Sequence, residues 1–121
     1  MFRVTIIGAS DFGNFNLFEK KCVFFLQTKA NQGIAINTTG DADVIKFANK
    51  WHIEHRIFRA DWKKHGKDAL VYRNQEMLDG CDGVIVFRTD IKDNDAIRKM
   101  AQKLNIPCRV VKVPQSSTPH K

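Results

Sequence analysis

The segment Arg3-Val4-Thr5-Ile6-Ile7-Gly8 predicts a buried β-strand that ends in a glycine turn. Its apolar, β-branched residues form a continuous run, which is typical of a strand whose two faces are both covered. Gly83-Val84-Ile85-Val86-Phe87 has the same character and is the most strand-like segment of the chain. Strands that are buried on both faces need helices on both sides of the sheet, so the two segments predict an α/β fold.

Strands and helices alternate along the rest of the chain. Further strands are predicted at 34–37, 55–58 and 108–113, and helices at 16–29, 44–51, 68–79 and 97–104. Alternation with short connections indicates parallel strands that are joined by right-handed crossovers. The chain therefore predicts a small doubly wound sheet of five strands with four helices.

Composition limits the class of protein. The length of 121 residues fits one domain, which we expect to span 1–113, followed by a disordered Ser/Thr/Pro-rich tail at 114–121. No apolar run approaches the roughly 18 residues that a membrane span needs. Cys22, Cys81 and Cys108 are odd in number and widely spaced, so we expect reduced core thiols and a cytoplasmic protein.

The formal net charge of +7 indicates an anionic partner, either a nucleotide, a nucleic acid or an acidic protein. The excess charge is spread along the chain, which leaves a merely soluble surface as the alternative. His52 and His55 are three residues apart but pass from a helix to a strand, so a shared metal is not expected. We expect neither a metal nor a cofactor.

The candidate site lies at the carboxyl edge of the predicted sheet, where ligands bind in open parallel sheets. Four loops, at 8–14, 37–43, 59–67 and 88–95, reach this edge. The candidate ligand-binding residues lie on these loops or directly after them. They are Gly8, Ser10, Asp11, Gly40, Asp41, Asp43, Asp61, Trp62, Lys67, Arg73, Asn74 and Arg88.

Several candidates offer contacts that suit a nucleotide. The hydroxyl of Ser10 can donate to a phosphate or a ribose, and the carboxylates of Asp41 and Asp43 can accept from ribose hydroxyls. Trp62 offers a stacking face, and the planar fork of Arg73 suits a phosphate or a carboxylate.

Each contact has a structural alternative. The first loop can be an ordinary turn, and Thr39 or Asp41 can cap the helix that follows the second loop. The lysines of the third loop can simply be solvated, and Trp62 can cover the core.

Five segments together resemble the YspA-like (cpYpsA-related) branch of the SLOG superfamily, which is related to the LOG and DprA Rossmann-like domains. They are Gly8-Ala9-Ser10-Asp11, Gly40-Asp41-Ala42-Asp43, Ala60-Asp61-Trp62, Gly66-Lys67 and Arg73-Asn74-Gln75-Glu76-Met77. The resemblance spans roughly residues 3 to 113, and its most specific part is the block from Ala60 to Met77. It implies a three-layer Rossmann-like fold with the strand order 3-2-1-4-5, and the binding of a nucleotide-derived ligand.

The chain departs from the family pattern in two places. The first turn lacks the family's arginine, and the loop from Arg88 to Asp95 contains no glycine. In LOG-type enzymes this loop cradles a phosphate and is followed by a catalytic glutamate, so we assign no catalytic residue here.

We therefore expect a non-catalytic protein that senses or sequesters a nucleotide-derived signal, for example one encoded by a phage. A hydrolase or transferase acting on a nucleoside-phosphate N-glycosidic bond is one alternative. A nucleic-acid-binding module, which the resemblance to DprA and the net charge would allow, is another.

The first helix indicates self-association into a homodimer or a higher homo-oligomer. Phe18, Phe24 and Phe25 cannot all face one side of this helix. Those at other angles must contact either the sheet or another chain.

Overall fold

The structure is a computed structural model that describes residues 1–8, 14–88 and 95–112. The strands are β1 (Phe2–Ile7), β2 (Ile34–Thr38), β3 (Glu54–Ile57), β4 (Gly83–Arg88) and β5 (Cys108–Lys112). The helices are α1 (Phe15–Leu26), α2 (Ala42–Lys50), α3 (Trp62–His65), α4 (Ala69–Leu78) and α5 (Asp95–Lys103). Short 3-10 helices, Gln27–Gln32 and Gly66–Asp68, follow α1 and α3. The predicted tail at 114–121 lies outside the described residues.

The five strands form one parallel sheet in the order β3-β2-β1-β4-β5. Central β1 pairs with β2 on one side and with β4 on the other, so that Val4 lies between Ile36 and Gly83. The chain order therefore reverses at β1 and β4, which makes the carboxyl ends of these strands the switch point. The predicted Rossmann-like fold class and strand order are confirmed.

Helices cover both faces of this sheet. On one face, α1 and α2 pack against β1, β2 and β4 through a core that includes Phe18, Cys22, Phe47, Ile36 and Phe87. On the other face, α4 and α5 pack against β1 and β4. Their core residues are Ile7, Met77, Leu78, Val84, Val86, Ile97 and Ala101.

The phenylalanines of α1 separate by environment. Phe18 is 0% exposed, and its ring lies 4.5 Å from that of Phe87 and 6.3 Å from that of Phe47. Phe25 packs on the margin of the same core, whereas Phe24 is 64% exposed. The helix thus contacts the sheet through Phe18, while self-association stays a prediction.

The described residues contain one α-helix more than the four that the sequence predicts. The segment 59–67, predicted as a plain connection, contains α3. The carboxylate of Asp61 caps this helix by accepting the Lys64 backbone N–H at 3.0 Å, and Gly66 follows it with φ of 56°. Four residues are too few to show a helical period in the sequence.

Within the described part of the chain, none of the helices combines the length and the apolar character that a membrane-spanning segment requires.

Candidate functional site

The turns after β1 and β2 are joined by one carboxylate. Asp41 Oδ2 accepts the backbone N–H of Gly8 at 3.0 Å and the hydroxyl of Thr39 at 3.2 Å. Asp41 stands at the N-cap position of α2, but its side chain makes no capping bond. Helix capping by Thr39 or Asp41 therefore does not explain these residues. Asp41 instead links the two loops that border the carboxyl edge, and its Oδ1 accepts no bond from any described residue.

The glycine beside this carboxylate adopts a backbone conformation that favours glycine. Gly40 adopts φ of +107°, and a Cβ placed there would lie 3.4 Å from Ile57 Cγ2. The turn after β2 therefore depends on glycine for its conformation. It places Asp41 within reach of Gly8.

Replacing Asp41 with alanine is expected to lower the free energy of unfolding by about 1–3 kcal/mol, because the buried N–H of Gly8 loses its acceptor. Urea unfolding followed by circular dichroism measures this change. Asp43→Ala is the matched control, since Asp43 lies in the first turn of the same helix and makes no bond to Gly8. Equal losses in the two variants would contradict a specific link between the loops.

Arg73 approaches the same edge from α4. Its side chain is half-buried, and burial lowers the pKa of the guanidinium, an effect that the nearby Asp41 carboxylate opposes. Nε of Arg73 donates to Asn74 Oδ1 at 2.9 Å. Its two terminal nitrogens meet no acceptor among the described residues. The side chain is thus a partly desolvated cation whose bidentate end is available to an anion.

Asn74 adds a second donor at this position. It is only 6% exposed, and the bond from Arg73 fixes the orientation of its amide, with Oδ1 as the acceptor. Its Nδ2 donates to no acceptor within the described ranges. Because buried polar groups are nearly always hydrogen-bonded, this donor is suited to an acceptor that a ligand brings.

A fully bonded polar cluster holds α4 on the sheet below these two residues. The Met77 carbonyl accepts from Thr5 Oγ1 at 3.1 Å, Asn37 Nδ2 at 2.9 Å and Cys81 Sγ at 3.2 Å. Arg73 and Asn74 lie about one helical turn closer to the carboxyl edge than Met77. The cluster therefore fixes the height and the rotation at which α4 presents them.

The remaining candidate residues are less closely associated with Asp41, Arg73 and Asn74. Asp61 is engaged as the cap of α3, and Trp62 is 56% exposed, so it does not cover the core. Lys67 is exposed on the 3-10 helix after α3, and Arg88 ends β4 and is half-buried. Asp43 is half-buried in the first turn of α2. Ser10 and Asp11 lie outside the described residues.

The sequence did not indicate two features of this edge. One is the Thr39 hydroxyl on Asp41. The other is the ring of His65, at the end of α3, which stacks on that of Tyr72 in α4 with centroids 4.0 Å apart. The polar residues Thr5 and Asn37, which lie within strands, are the visible signals in the sequence of the cluster beneath the site.

All three cysteines are free, and burial raises the pKa of Cys22, Cys81 and Cys108, which disfavours the reactive thiolate at neutral pH. Over residues 1–8, 14–88 and 95–112, no group of His, Cys, Asp and Glu side chains is arranged to hold a metal ion.

No family model matches the chain, and no curated protein matches it either.

Proposed function

We propose that the protein binds a nucleotide or a nucleotide-derived signalling ligand at the carboxyl edge of its sheet, as a sensor or sequestering protein of the YspA-like branch of the SLOG superfamily. The observation that carries this proposal is the pair Arg73 and Asn74. It combines a half-buried guanidinium with a buried amide donor, and neither donor end meets an acceptor among the described residues.

The groups around this pair match the two polar parts of a nucleotide. The terminal nitrogens of Arg73 and Nδ2 of Asn74 are donors for phosphate oxygens. Oδ1 of Asp41 is an acceptor for ribose hydroxyls, while Oδ2 is held by Gly8 and Thr39. The net charge of +7 favours the approach of an anion.

Native mass spectrometry of the protein purified from cells tests the class of ligand. We expect an adduct whose mass and release on denaturation identify a nucleotide or a nucleotide derivative. A second arm titrates the purified protein with AMP, ADP, ATP and ADP-ribose by calorimetry. Absence of an adduct, together with no heat from any of these nucleotides, would contradict the proposal.

We expect the protein to release no free base from nucleoside monophosphates. A phosphoribohydrolase must hold the phosphate and stabilise the positive charge that develops on the ribose. The segment 88–95 contains no glycine and carries Asp90, Asp93 and Asp95, which oppose a phosphate there. Chromatography after incubation with purine and pyrimidine monophosphates measures the product. Release of base well above that of an Arg73→Ala control would favour the N-glycosidic hydrolase instead.

A further inference from the structure

Within the described part of the chain, no strand pairs with the outer edge of β3. Among the described strands β3 pairs with β2 alone, at one end of the sheet. The backbone N–H of Phe58 donates to the Thr38 carbonyl at 2.8 Å, so Phe58 faces β2. Because successive residues of a strand point their backbone groups to opposite sides, those of Glu54 and Arg56 also face β2. The backbone groups of His55 and Ile57 therefore point outward, where another strand can bond to them.

The side chains on this edge carry opposite charges at alternate positions. Glu54 and Arg56 lie on the α4 face of the sheet, and both are exposed. The guanidinium of Arg56 lies 4.7 Å from the ring centroid of Phe58. Glu76 and Asp79 line the same cleft, but within the described residues neither Glu54 nor Arg56 forms an ion pair.

Charge favours one of the three antiparallel registers that are centred on Glu54, His55 or Arg56. In an antiparallel pair centred on His55, the two His55 residues exchange backbone hydrogen bonds. Each Glu54 then stands opposite Arg56 of the second copy, at the close spacing of a pair without backbone bonds. A register centred on Glu54 would instead place the two Glu54 residues opposite each other, and a register centred on Arg56 would do the same for the two Arg56 residues. Both of these registers are repulsive.

We propose that two copies of the protein associate edge to edge through β3, in the antiparallel register that is centred on His55. The continuous sheet gains two Glu54–Arg56 ion pairs across a two-fold axis. The edge strand has only four residues, so the contact is far smaller than the ~1,200 Å² of a standard interface, and the association is weak and reversible.

Sedimentation velocity over a series of rising protein concentrations tests this arrangement through charge reversal. The wild-type protein is expected to show a sedimentation coefficient that increases with concentration. Glu54→Arg and Arg56→Glu should each stay monomeric, because each places like charges across the axis. An equimolar mixture of the two variants should associate again, since every facing pair is then complementary.

Lys103→Glu, an equal charge change on the exposed end of α5, is the control and should behave as the wild type. Recovery in the mixture also shows that both variants are folded. A wild type that is monomeric at every concentration would overturn the proposal. A mixture that stays monomeric would overturn it as well. Association that survives in either single variant would also overturn it, and would move the contact to another surface such as α1.

Discussion

Phe18→Ala is expected to lower the free energy of unfolding by about 3–5 kcal/mol. Phe18 is fully buried and is the residue of α1 that contacts both Phe47 of α2 and Phe87 of β4. Removal of the ring leaves a cavity between two helices and the sheet, which the close-packed surroundings fill only in part. Urea unfolding monitored by circular dichroism measures the loss as a lower midpoint.

Phe24→Ala is the matched control on the same helix. The ring of Phe24 is 64% exposed, so we expect its removal to change the free energy of unfolding by less than about 0.5 kcal/mol. Losses of similar size in both variants would contradict the orientation of α1 on the sheet.

The sheet could be predicted from the sequence because its strands are buried on both faces. Segments such as Val84 to Phe87 then consist of continuous apolar residues, and their alternation with helices leaves few topologies. The helix α3 could not be predicted in the same way. Its only signals were Asp61 as a cap and Gly66 as a terminator, and both residues also suit a loop.

The position and the residue types of the candidate site follow from the sequence and stay a prediction, whereas the bonding among its residues is visible only in the structure. The sequence alone indicates Arg73 and Asp41, because their side chains suit phosphate and ribose. The bond from Gly8 to Asp41 joins residues 33 apart, and the one from Asn37 to Met77 joins residues 40 apart. Such bonds depend on how strands and helices pack together, and no local pattern indicates them.

Arg73→Ala is expected to weaken nucleotide binding by about 2 kcal/mol, or about 30-fold, since charge-assisted hydrogen bonds to a phosphate are lost. The change should leave the fold intact, because among the described residues the side chain of Arg73 makes a hydrogen bond only to its neighbour Asn74. Lys103→Ala is the control. It removes a positive charge from the last turn of α5, which lies toward the opposite edge of the sheet.

Calorimetric titration tests the central claim most directly. The wild type, Arg73→Ala and Lys103→Ala are each titrated with one nucleotide, which is whichever of AMP, ADP, ATP and ADP-ribose binds the wild type most tightly. The account predicts equal affinity for the wild type and Lys103→Ala, and about 30-fold weaker binding for Arg73→Ala. Equal affinity of all three proteins for that nucleotide would contradict an anion site at Arg73 on the carboxyl edge.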